Sequence, residues 1–333
     1  TIKNSEEIAE WLNAELVESD WRPVKLREGV FLYNKVVFDD DSKIVFGEEY
    51  VDPLITLTED TIRKDNQILI FVNTRKSTVS LASKLSKSVN SILKTNEKKI
   101  LKKIAEKIEK SRELTKIGKQ LSHLVSHGIA FHHAGLPYDY RRIIEKSFKE
   151  NLIKVICASP TLAAGINMPA RRVIIRDYKR YDANLGYTEI PVLEIKQMAG
   201  RAGRPKYDDV GEAVLLAKDD KEFDFLMETY VFGESEKIWS KLASEPALRS
   251  HILSAIATQF TKDYEAIRNF IMSTFYAYQY KSEAIMDIIQ NILDYLVEEE
   301  MVIHKDGRYF ATPFGKKISD LYIDPKSGEV MKD

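Results

Sequence analysis

The sequence predicts an α/β fold, a parallel sheet with helices on both faces, followed by a mainly helical winged-helix domain. Three features predict this order: short apolar strands alternate with helical stretches, the sequence becomes acidic and aromatic without strand runs after Ala217, and helices precede a short hairpin near the end. Strands of a parallel sheet are buried on both faces, so they read as unbroken apolar runs. A chain of 333 residues has room for both domains.

Five apolar runs are the predicted strands of the sheet. They are ILIFV (68–72), IAFHH (129–133), KVICA (154–158), RVIIR (172–176) and AVLLA (213–217). Between the first two runs, residues 78–93 carry apolar side chains at a three-to-four spacing, and a lysine-rich helical stretch spans 96–125. The first sixty residues hold a short helix and a hairpin around residues 39–42, which we expect to lead into the sheet.

The winged helix is predicted from three helical candidates and a hairpin. The helices span 247–260, 264–279 and 282–299, and the hairpin turns at a Lys-Asp-Gly sequence. The third helix is rich in carboxylates, which argues against the reading of a DNA groove and favours an internal brace. We therefore expect a sheet domain over residues 1–218, and a linker helix with the winged helix over residues 219–333.

The composition excludes several classes of protein. A hydrophobic content of 44% excludes disordered and fibrous chains. No apolar run approaches the roughly 20 residues of a membrane span, and no secretory signal is present, so we expect a cytoplasmic location and no membrane partner. The single cysteine, Cys157, excludes an internal disulfide and a cysteine-based zinc site, and no metal site is predicted. A net charge of −1 neither demands nor forbids a nucleic-acid partner.

Two arginines at the end of a predicted helix form the first candidate site. In QMAGRAGRP, residues 197–205, Arg201 and Arg204 lie three apart on one helix face, and the glycines allow another surface to approach closely. A guanidinium group presents a planar fork of donors to phosphoryl oxygens, and it stabilises the charge that develops as a terminal phosphate leaves. The pair therefore indicates a phosphate site, with a solvated helix end as the alternative.

Small polar residues follow two of the predicted strands. Ser159 and Thr161 come after the third strand, and Asn73 and Thr74 come after the first. Ligands of an open parallel sheet bind beyond the carboxyl ends of its strands, where hydroxyl groups and backbone amides contact phosphates. The four residues indicate contacts to a nucleic-acid backbone. Tight turns closed by hydroxyl-to-backbone hydrogen bonds are the alternative.

These stretches together resemble the successive motifs of the second RecA-like motor domain in superfamily-two helicases. The stretches are ILIFVNTRKS, AFHHAGL, VICASPTLAAGINMPA and QMAGRAGRP. The resemblance is to the Ski-like group and, within it, to archaeal DNA-repair helicases of the Hjm type, and it extends from about residue 1 through the winged helix. It implies a 3′-to-5′ DNA helicase of DNA repair or stalled forks, with ATP and Mg²⁺ as cofactors. An RNA helicase fragment and a non-catalytic nucleic-acid binding module are the alternatives.

The resemblance also implies roles for individual residues. Arg204 matches the arginine finger, Arg201 reaches ATP with it, and Gln197 lies beside them. Gly165 and Asn167 match the part of a loop that couples the nucleotide to the nucleic acid, so they are expected to bind the cofactor with the arginines. The residues that match contacts to the bound strand are Asn73, Thr74, Ser159, Thr161 and His133, and a histidine buried at a strand end is the alternative for His133.

A second hairpin is predicted within RDYKRYDANLGYTEI, residues 176–190, around an Asn-Leu-Gly turn. In the similar repair helicases a hairpin at this place pries the duplex apart. Tyr178, Tyr181 and Tyr187 are the candidates to stack on an unpaired base, at roughly 1–3 kcal/mol per base. A surface hairpin whose tyrosines pack locally is the alternative.

Two parts of a complete motor are missing from the sequence. A phosphate loop, GxxxxGK[ST], and an acidic motif for magnesium and water are both absent. With the start at Thr1, this indicates a piece of a longer protein that lacks the first motor domain and the C-terminal domains. We expect the piece alone to be inactive and to hold no cofactor tightly. Within the whole protein it would act on single-stranded or forked DNA, associated with the nucleoid.

Overall fold

The computed structural model describes residues 2–19, 21–47, 52–110, 115–165, 168–182, 186–205, 207–281 and 284–331. Two compact units divide the chain. The first comprises Thr1–Lys3 and Ser19–Glu236, and the second comprises Asn4–Glu18 and Lys237–Asp333.

The first unit is built of strands and helices in alternation. Its strands are β1 (Lys25–Leu32), β2 (Lys35–Phe38), β3 (Lys43–Val45), β4 (Ile68–Phe71), β5 (Ile129–His132), β6 (Val155–Ala158), β7 (Arg172–Ile175), β8 (Lys179–Asp182), β9 (Gly186–Glu189) and β10 (Val210–Leu216). Its helices are α2 (Pro53–Arg63), α3 (Arg75–Ile92), α4 (Thr95–Glu109), α5 (Lys116–Ser126), α6 (Tyr138–Lys149), α7 (Thr161–Gly165), α8 (Val192–Ala199) and α9 (Asp220–Leu226).

The second unit is mainly helical. Its helices are α1 (Ser5–Leu12), α10 (Glu245–Ala257), α11 (Tyr264–Met272), α12 (Phe275–Tyr280), α13 (Ala284–Glu298), α14 (Pro313–Asp320) and α15 (Pro325–Val330), and its strands are β11 (Val302–Lys305) and β12 (Arg308–Ala311). None of the helices in the described part of either unit has the length and apolar character needed to cross a membrane.

An eight-stranded sheet organises the first unit, in the order β3-β2-β1-β10-β7-β4-β6-β5. The five strands from β10 to β5 and strand β1 run parallel, while β2 and β3 add an antiparallel hairpin at one edge. All four residues of β4, β5, β6 and β7 are buried, as expected for strands covered on both faces. The predicted α/β fold, with a helical domain after it, is confirmed.

Because β1 and the strands from β10 to β5 are parallel, their amino ends lie along one edge of the sheet and their carboxyl ends along the other. Residues that precede the strands lie at the amino edge, and residues that follow β4, β5, β6 and β7 lie at the carboxyl edge. Because β4, β5, β6 and β7 are only four residues long, the two edges are roughly 13 Å apart there, at about 3.3 Å per residue. The candidate residues fall at one edge or the other.

The structure divides the chain after Glu236, whereas the sequence predicted a boundary near residue 218. The difference arises because the segment after β10 contributes to the core of the first unit. Leu226 and Tyr230 are almost fully buried there, and the Tyr230 hydroxyl donates a hydrogen bond of 2.8 Å to the carbonyl of Ile190. The short helix α1, predicted to lead into the sheet, instead belongs to the second unit.

The second unit has a core formed by one face of each long helix. Helix α13 buries Ile285, Ile289 and Leu296 at helical spacing. The hairpin of β11 and β12 turns at Gly307, which has a φ of 73°. The segment before α11 also pairs with this hairpin, because the amide of Tyr309 donates a hydrogen bond of 2.9 Å to the carbonyl of Lys262. This arrangement is a winged helix.

One predicted helix of this unit is wrong in its extent. The stretch 264–279 was expected to form a single helix, but it forms α11 and α12. The backbone of Thr274 is extended, and its hydroxyl accepts a hydrogen bond from the amide of Ala277. Side-chain capping of this kind begins a new helix and ends the continuity of the preceding one.

Candidate nucleotide and nucleic-acid site

The two candidate arginines lie on a turn after α8, residues 200–204, which we call the arginine turn. It lies at the amino edge of the sheet, because the amide of Gly203 donates to the carbonyl of Ala170 at 2.7 Å and the amide of Ala170 donates to the carbonyl of Arg201 at 3.0 Å. Gly203 has a φ of 95°, a conformation that residues with a side chain rarely adopt. The turn is therefore joined to the segment that precedes β7.

Close backbone packing fixes the position of the arginine turn. A side chain at Gly211 in β10 would overlap the carbonyl carbon of Ala202 and the amide nitrogen of Gly203. At the other end of α8, the Glu236 carboxylate accepts hydrogen bonds of 2.7 Å from the amide of Val192 and 3.1 Å from that of Leu193. An acidic group at a helix amino terminus is favourable, so both ends of α8 are held.

Arg201 connects the arginine turn to the loop that follows β6. Its Nε donates a hydrogen bond of 3.0 Å to the carbonyl oxygen of Ala163, and its Nη2 donates to the same oxygen. Ala163 lies in α7, two residues after Thr161. The guanidinium group is thus held by an uncharged acceptor in the loop that begins at the carboxyl edge.

Arg204 is held by a carboxylate. Its Nε and Nη2 each donate to Asp208 at 2.9 Å, in a bidentate ion pair. Nη2 also donates to Asn66 Oδ1 at 2.7 Å, and Nη1 donates to Gln67 Oε1 at 3.2 Å. The side chain is 12% exposed and that of Asp208 is 3% exposed. The side chain of Arg204, the residue predicted to be the arginine finger, is thus bound to neighbouring residues at the amino edge of the sheet.

The remaining predicted cofactor residues differ in how far the structure describes them. Gln197 is exposed on α8, one turn before Arg201. Gly165 is the last residue of α7, and Asn167 lies outside the described residues. In the described part of the chain, no cluster of three or more His, Cys, Asp or Glu side chains is placed to hold a metal ion.

A buried carboxylate beneath the arginine turn was not singled out from the sequence. Glu212 in β10 is 2% exposed and forms ion pairs of 2.7 Å with Arg172, 3.0 Å with Arg171 and 2.9 Å with Arg27. Burial raises the pKa of Glu212, but the cations of Arg172 and Arg171 and the hydrogen bonds from Arg172 and Arg27 lower the pKa by more. Arg172 is also paired with Asp60 at 2.9 Å.

At the carboxyl edge, the predicted polar residues come together after β4 and β6. The hydroxyl groups of Ser159 and Thr161 are 2.8 Å apart, and the amide of Ser159 donates to the carbonyl of His132 at 3.1 Å. The Thr74 hydroxyl caps α3 by accepting a hydrogen bond of 3.0 Å from the amide of Ser77. Capping is the structural role that the sequence left open for Thr74.

Asn73 is tied to the segment that follows β7. Its amide donates to the Asp177 carboxylate at 3.0 Å, and its side-chain amide donates to the carbonyl of Lys179. The Asp177 carboxylate is also paired with Arg176 at 2.6 Å. Asn73 therefore connects the carboxyl edge to the base of the hairpin formed by β8 and β9.

Two adjacent histidines are buried at the carboxyl end of β5. His132 is 3% exposed and lies 3.0 Å from Glu145, and His133 is 4% exposed. Burial lowers the pKa of both, and the pKa of His133 is lowered further by the cation of Arg75. Within the described residues, neither Nδ1 atom has a hydrogen-bond partner. Burial therefore favours the neutral form of both rings.

Arginines accompany these histidines at the carboxyl edge. Arg75 is exposed at the start of α3, and a Cβ at Gly135 would come within 3.0 Å of its Nη1 atom. Arg141 on α6 lowers the pKa of His132 through its charge. Glycine at position 135 thus allows the Arg75 guanidinium group to lie against the loop after β5. Arg75 supplies a positive charge that the polar residues alone lack.

The hairpin of β8 and β9 exposes two of its three candidate tyrosines. Tyr181 and Tyr187 face each other across the strands, with ring centroids 5.5 Å apart and exposures of 70% and 79%. Tyr178 differs, because its hydroxyl donates to Glu222 at 2.7 Å and its ring packs against Phe225 at 5.8 Å. Local packing therefore engages Tyr178 in this structure. The turn residues 183–185 lie outside the described residues.

Comparison with known proteins supports the same organisation. Residues 49–206 match the helicase conserved C-terminal domain, and residues 211–303 match a helix-turn-helix domain. The chain is 46% identical over its whole length to the ATP-dependent DNA helicase Hel308 of Methanocella arvoryzae, and 45% identical to that of Pyrococcus horikoshii. It is 41% identical, over 98% of its length, to Hel308 of Pyrobaculum calidifontis. The chain contains a helicase conserved C-terminal domain, and over its whole length it is similar to part of Hel308.

The chain spans 45–46% of the length of these Hel308 relatives. The helicase match includes all the predicted site residues, from Asn73 to Arg204. The helix-turn-helix match begins in β10, within the first unit, and ends in β11 of the second. The resemblance stated from the motifs is therefore confirmed, while the roles of individual residues stay predictions.

We expect replacement of Glu212 by glutamine to lower the free energy of unfolding by roughly 3–5 kcal/mol, because it leaves buried arginines unpaired. The lowered pKa of Glu212 contributes stability above the ordinary glutamate pKa of about 4.3, and this contribution is lost as the pH falls through the folded-state value. Urea unfolding at several pH values measures both effects. The acid-side slope should be shallower in Glu212→Gln.

Glu150→Gln is the matched control for this measurement. Glu150 pairs with Lys146 at 3.8 Å on the surface of α6, where exposed pairs contribute at most about 1 kcal/mol. Equal losses in the two variants would show that the buried pairing of Glu212 is not important for stability.

Proposed function

We propose that this chain forms the second motor lobe and the winged helix of an ATP-dependent DNA helicase. One observation carries the proposal: Arg201, on the amino edge, donates hydrogen bonds to Ala163 in the loop that begins at the carboxyl edge. A nucleotide bound by Arg201 would replace this acceptor and bias the position of the loop. The relatives' printed names, ATP-dependent DNA helicases, agree with this chemistry.

The chain spans less than half of its relatives, so we propose that a first motor lobe lies elsewhere in the same polypeptide. That lobe would supply the phosphate loop, and C-terminal domains would complete the protein. We propose ATP with Mg²⁺ as the cofactors of the whole protein. The residues described here offer no metal cluster, so the Mg²⁺ ligands would come from the first lobe and the nucleotide.

We propose that Arg201 contacts the terminal phosphate of ATP, with Gln197 beside it. Exchanging the carbonyl of Ala163 for a charged phosphate gains Coulomb energy without breaking an ion pair. Arg204 would first have to leave Asp208, with which it forms a bidentate pair. Arg204 therefore acts as the arginine finger only in a state in which this pair has opened.

We propose that single-stranded or forked DNA binds along the carboxyl edge. Asn73, Ser159 and Thr161 offer donors to backbone phosphates there, and Thr74 and His133 line the same edge. Arg75 adds the cation that dominates affinity for a phosphate backbone. The resemblance supplies the 3′-to-5′ polarity, a role in repair or at stalled forks, and a cytoplasmic, nucleoid-associated location. RNA is the alternative substrate.

We propose that the hairpin of β8 and β9 separates the strands of the duplex. Exposed tyrosine rings stack on bases without sequence preference, and Tyr181 and Tyr187 present two such rings together. The role does not extend to Tyr178, because its hydroxyl and ring are engaged by Glu222 and Phe225.

A non-catalytic nucleic-acid binding module is the second candidate. The observation that favours it is the ion pair of Arg204 with Asp208, which gives this arginine a structural role without any nucleotide. In that case the arginine turn would only support the sheet edge or contact a nucleic-acid backbone.

The ATPase rate tests the proposed function directly. We expect the isolated chain to hydrolyse no ATP above background, because an arginine stabilises a transition state only where another surface holds the nucleotide. In the complete polypeptide, with a DNA-stimulated rate, Arg201→Ala should lower kcat by about 10³-fold or more. Arg142→Ala, an exposed arginine on α6, is the control. Robust hydrolysis by the isolated chain would contradict the proposal.

Tyrosine replacement tests the strand-separating role of the hairpin. Tyr181→Ala combined with Tyr187→Ala should abolish unwinding of a tailed duplex, because no ring remains to stack on the first unpaired base. DNA-stimulated ATP hydrolysis should persist. Tyr322→Ala, at a site that is 96% exposed in the second unit, is the matched control. Unwinding at the wild-type rate in the double variant would end the assignment.

A salt titration of binding to single-stranded DNA separates the two candidate functions. For the isolated chain, loss of one phosphate contact in Arg75→Ala should reduce the slope of log K against log salt by about 0.7. Arg201→Ala should leave the slope unchanged if this arginine serves the nucleotide. A reduced slope in Arg201→Ala would favour the binding module. Arg63→Ala, an exposed arginine of α2, controls for general charge loss.

A further inference from the structure

The segment that precedes β1 carries an arginine directed at the arginine turn. Arg22 Nη2 donates a hydrogen bond of 2.8 Å to the carbonyl of Ala202 and one of 3.1 Å to the carbonyl of Gly200. Its Nε donates to the carbonyl of Val24 at 3.0 Å, which fixes the orientation of the guanidinium plane. Arg22 therefore bonds to the residues on either side of Arg201.

The same segment packs against the turn from a second direction. Val24 is 3% exposed, and a Cβ at Gly203 would lie 2.6 Å from its Cγ1 atom. The amide of Lys25 then donates to the carbonyl of Asp209 at 3.3 Å, where β1 begins to pair with β10. The segment is thus anchored to the sheet on one side and to the arginine turn on the other.

The two arginines of the turn differ in what holds them. Arg204 is fixed through its own side chain by Asp208, Asn66 and Gln67. Among the described residues, the acceptor of the Arg201 guanidinium group is the carbonyl of Ala163, which a phosphate would displace under the proposed function. Once that hydrogen bond is exchanged, the direction of the Arg201 side chain depends on the backbone at 200–202. Arg22 holds this backbone through the carbonyls of Gly200 and Ala202, in addition to the bridge between Ala170 and Arg201.

We propose that Arg22 is a positioning residue, which fixes the backbone around Arg201 so that its guanidinium group meets the terminal phosphate of ATP. This inference rests on the proposed function. Nη2 of Arg22 donates to both carbonyls of the turn while Nε donates to the carbonyl of Val24, and the single ammonium group of lysine reproduces this set of three acceptors only in part. Misplacement of a catalytic group by about 1 Å lowers rates by about 10²-fold, so loss of these hydrogen bonds should affect the chemical step.

A double-mutant cycle in the complete helicase polypeptide tests the inference. We expect Arg22→Ala to lower the DNA-stimulated kcat at least about tenfold while the KM for ATP and the affinity for single-stranded DNA change less than about twofold. Arg22→Lys should recover part of the loss. In the Arg201→Ala background, Arg22→Ala should have less than a twofold further effect, because the group that it positions is gone.

Three results would overturn the inference. They are an unchanged kcat in Arg22→Ala, an equal fold-loss in the presence and absence of Arg201, and a loss that the exposed-arginine control Arg142→Ala reproduces. A wild-type polypeptide without DNA-stimulated ATP hydrolysis would instead overturn the proposed function. The two failures are therefore distinguishable.

Amide hydrogen exchange in the chain itself gives a readout that does not depend on ATP. The amides of Ala202 and Gly203 donate to the carbonyls of Ala199 and Ala170, and they should exchange about tenfold faster in Arg22→Ala. Amides of β5, far from the turn, serve as an internal reference for global stability. Exchange at the turn that matches wild type would show that Arg22 does not fix this backbone.

Discussion

The close approach of the arginine turn to the amino edge of the sheet is the constraint on which the candidate nucleotide site depends. Three backbone features allow it: the absent side chain at Gly211, the positive φ of Gly203 and the bridge to Ala170. A backbone-to-backbone contact leaves little room for adjustment, since interiors are close-packed. The arginines therefore project from a rigid support, which is what transition-state stabilisation by fixed charges requires.

The pairing of the arginines at this edge decides which of them is available to a ligand. Arg172 is engaged by Glu212 and Asp60, and Arg204 by Asp208. Arg201, within the described part of the chain, is held by a neutral carbonyl. Breaking a buried ion pair costs several kcal/mol, whereas replacing a carbonyl acceptor with a phosphate costs little. Arg172 and Arg204 therefore support the structure, whereas Arg201 is available for a ligand.

The sequence predicted the parts of the fold that depend on local pattern. The strands β4, β5, β6, β7 and β10 were predicted because they are continuous apolar runs, and the arginine turn was predicted from its glycines and guanidinium groups. The contact of Arg22 with Gly200 was not predictable, since it joins residues 178 positions apart and Arg22 belongs to no motif. The role of Glu212 was not predicted for a similar reason. Glu212 lies in an apolar strand, and the arginines that pair with it are distant in sequence. Tyr178 resembled its neighbours in sequence, and its contacts with Phe225 and Glu222 distinguish it from Tyr181 in the structure.

Under the proposed function, the short strands would allow a nucleotide and a nucleic acid to influence each other within one unit. A four-residue strand spans roughly 13 Å, so the loop after β6 needs only one turn of helix, α7, before it returns to the amino edge ahead of β7. Its beginning lies beside Ser159 and its middle accepts hydrogen bonds from Arg201. A ligand that binds Arg201 would break its hydrogen bonds to the carbonyl of Ala163 in α7 without disturbing the buried strands. Because the sheet core is close-packed, the loop after β6 is the element whose position both ligands would bias under the proposed function.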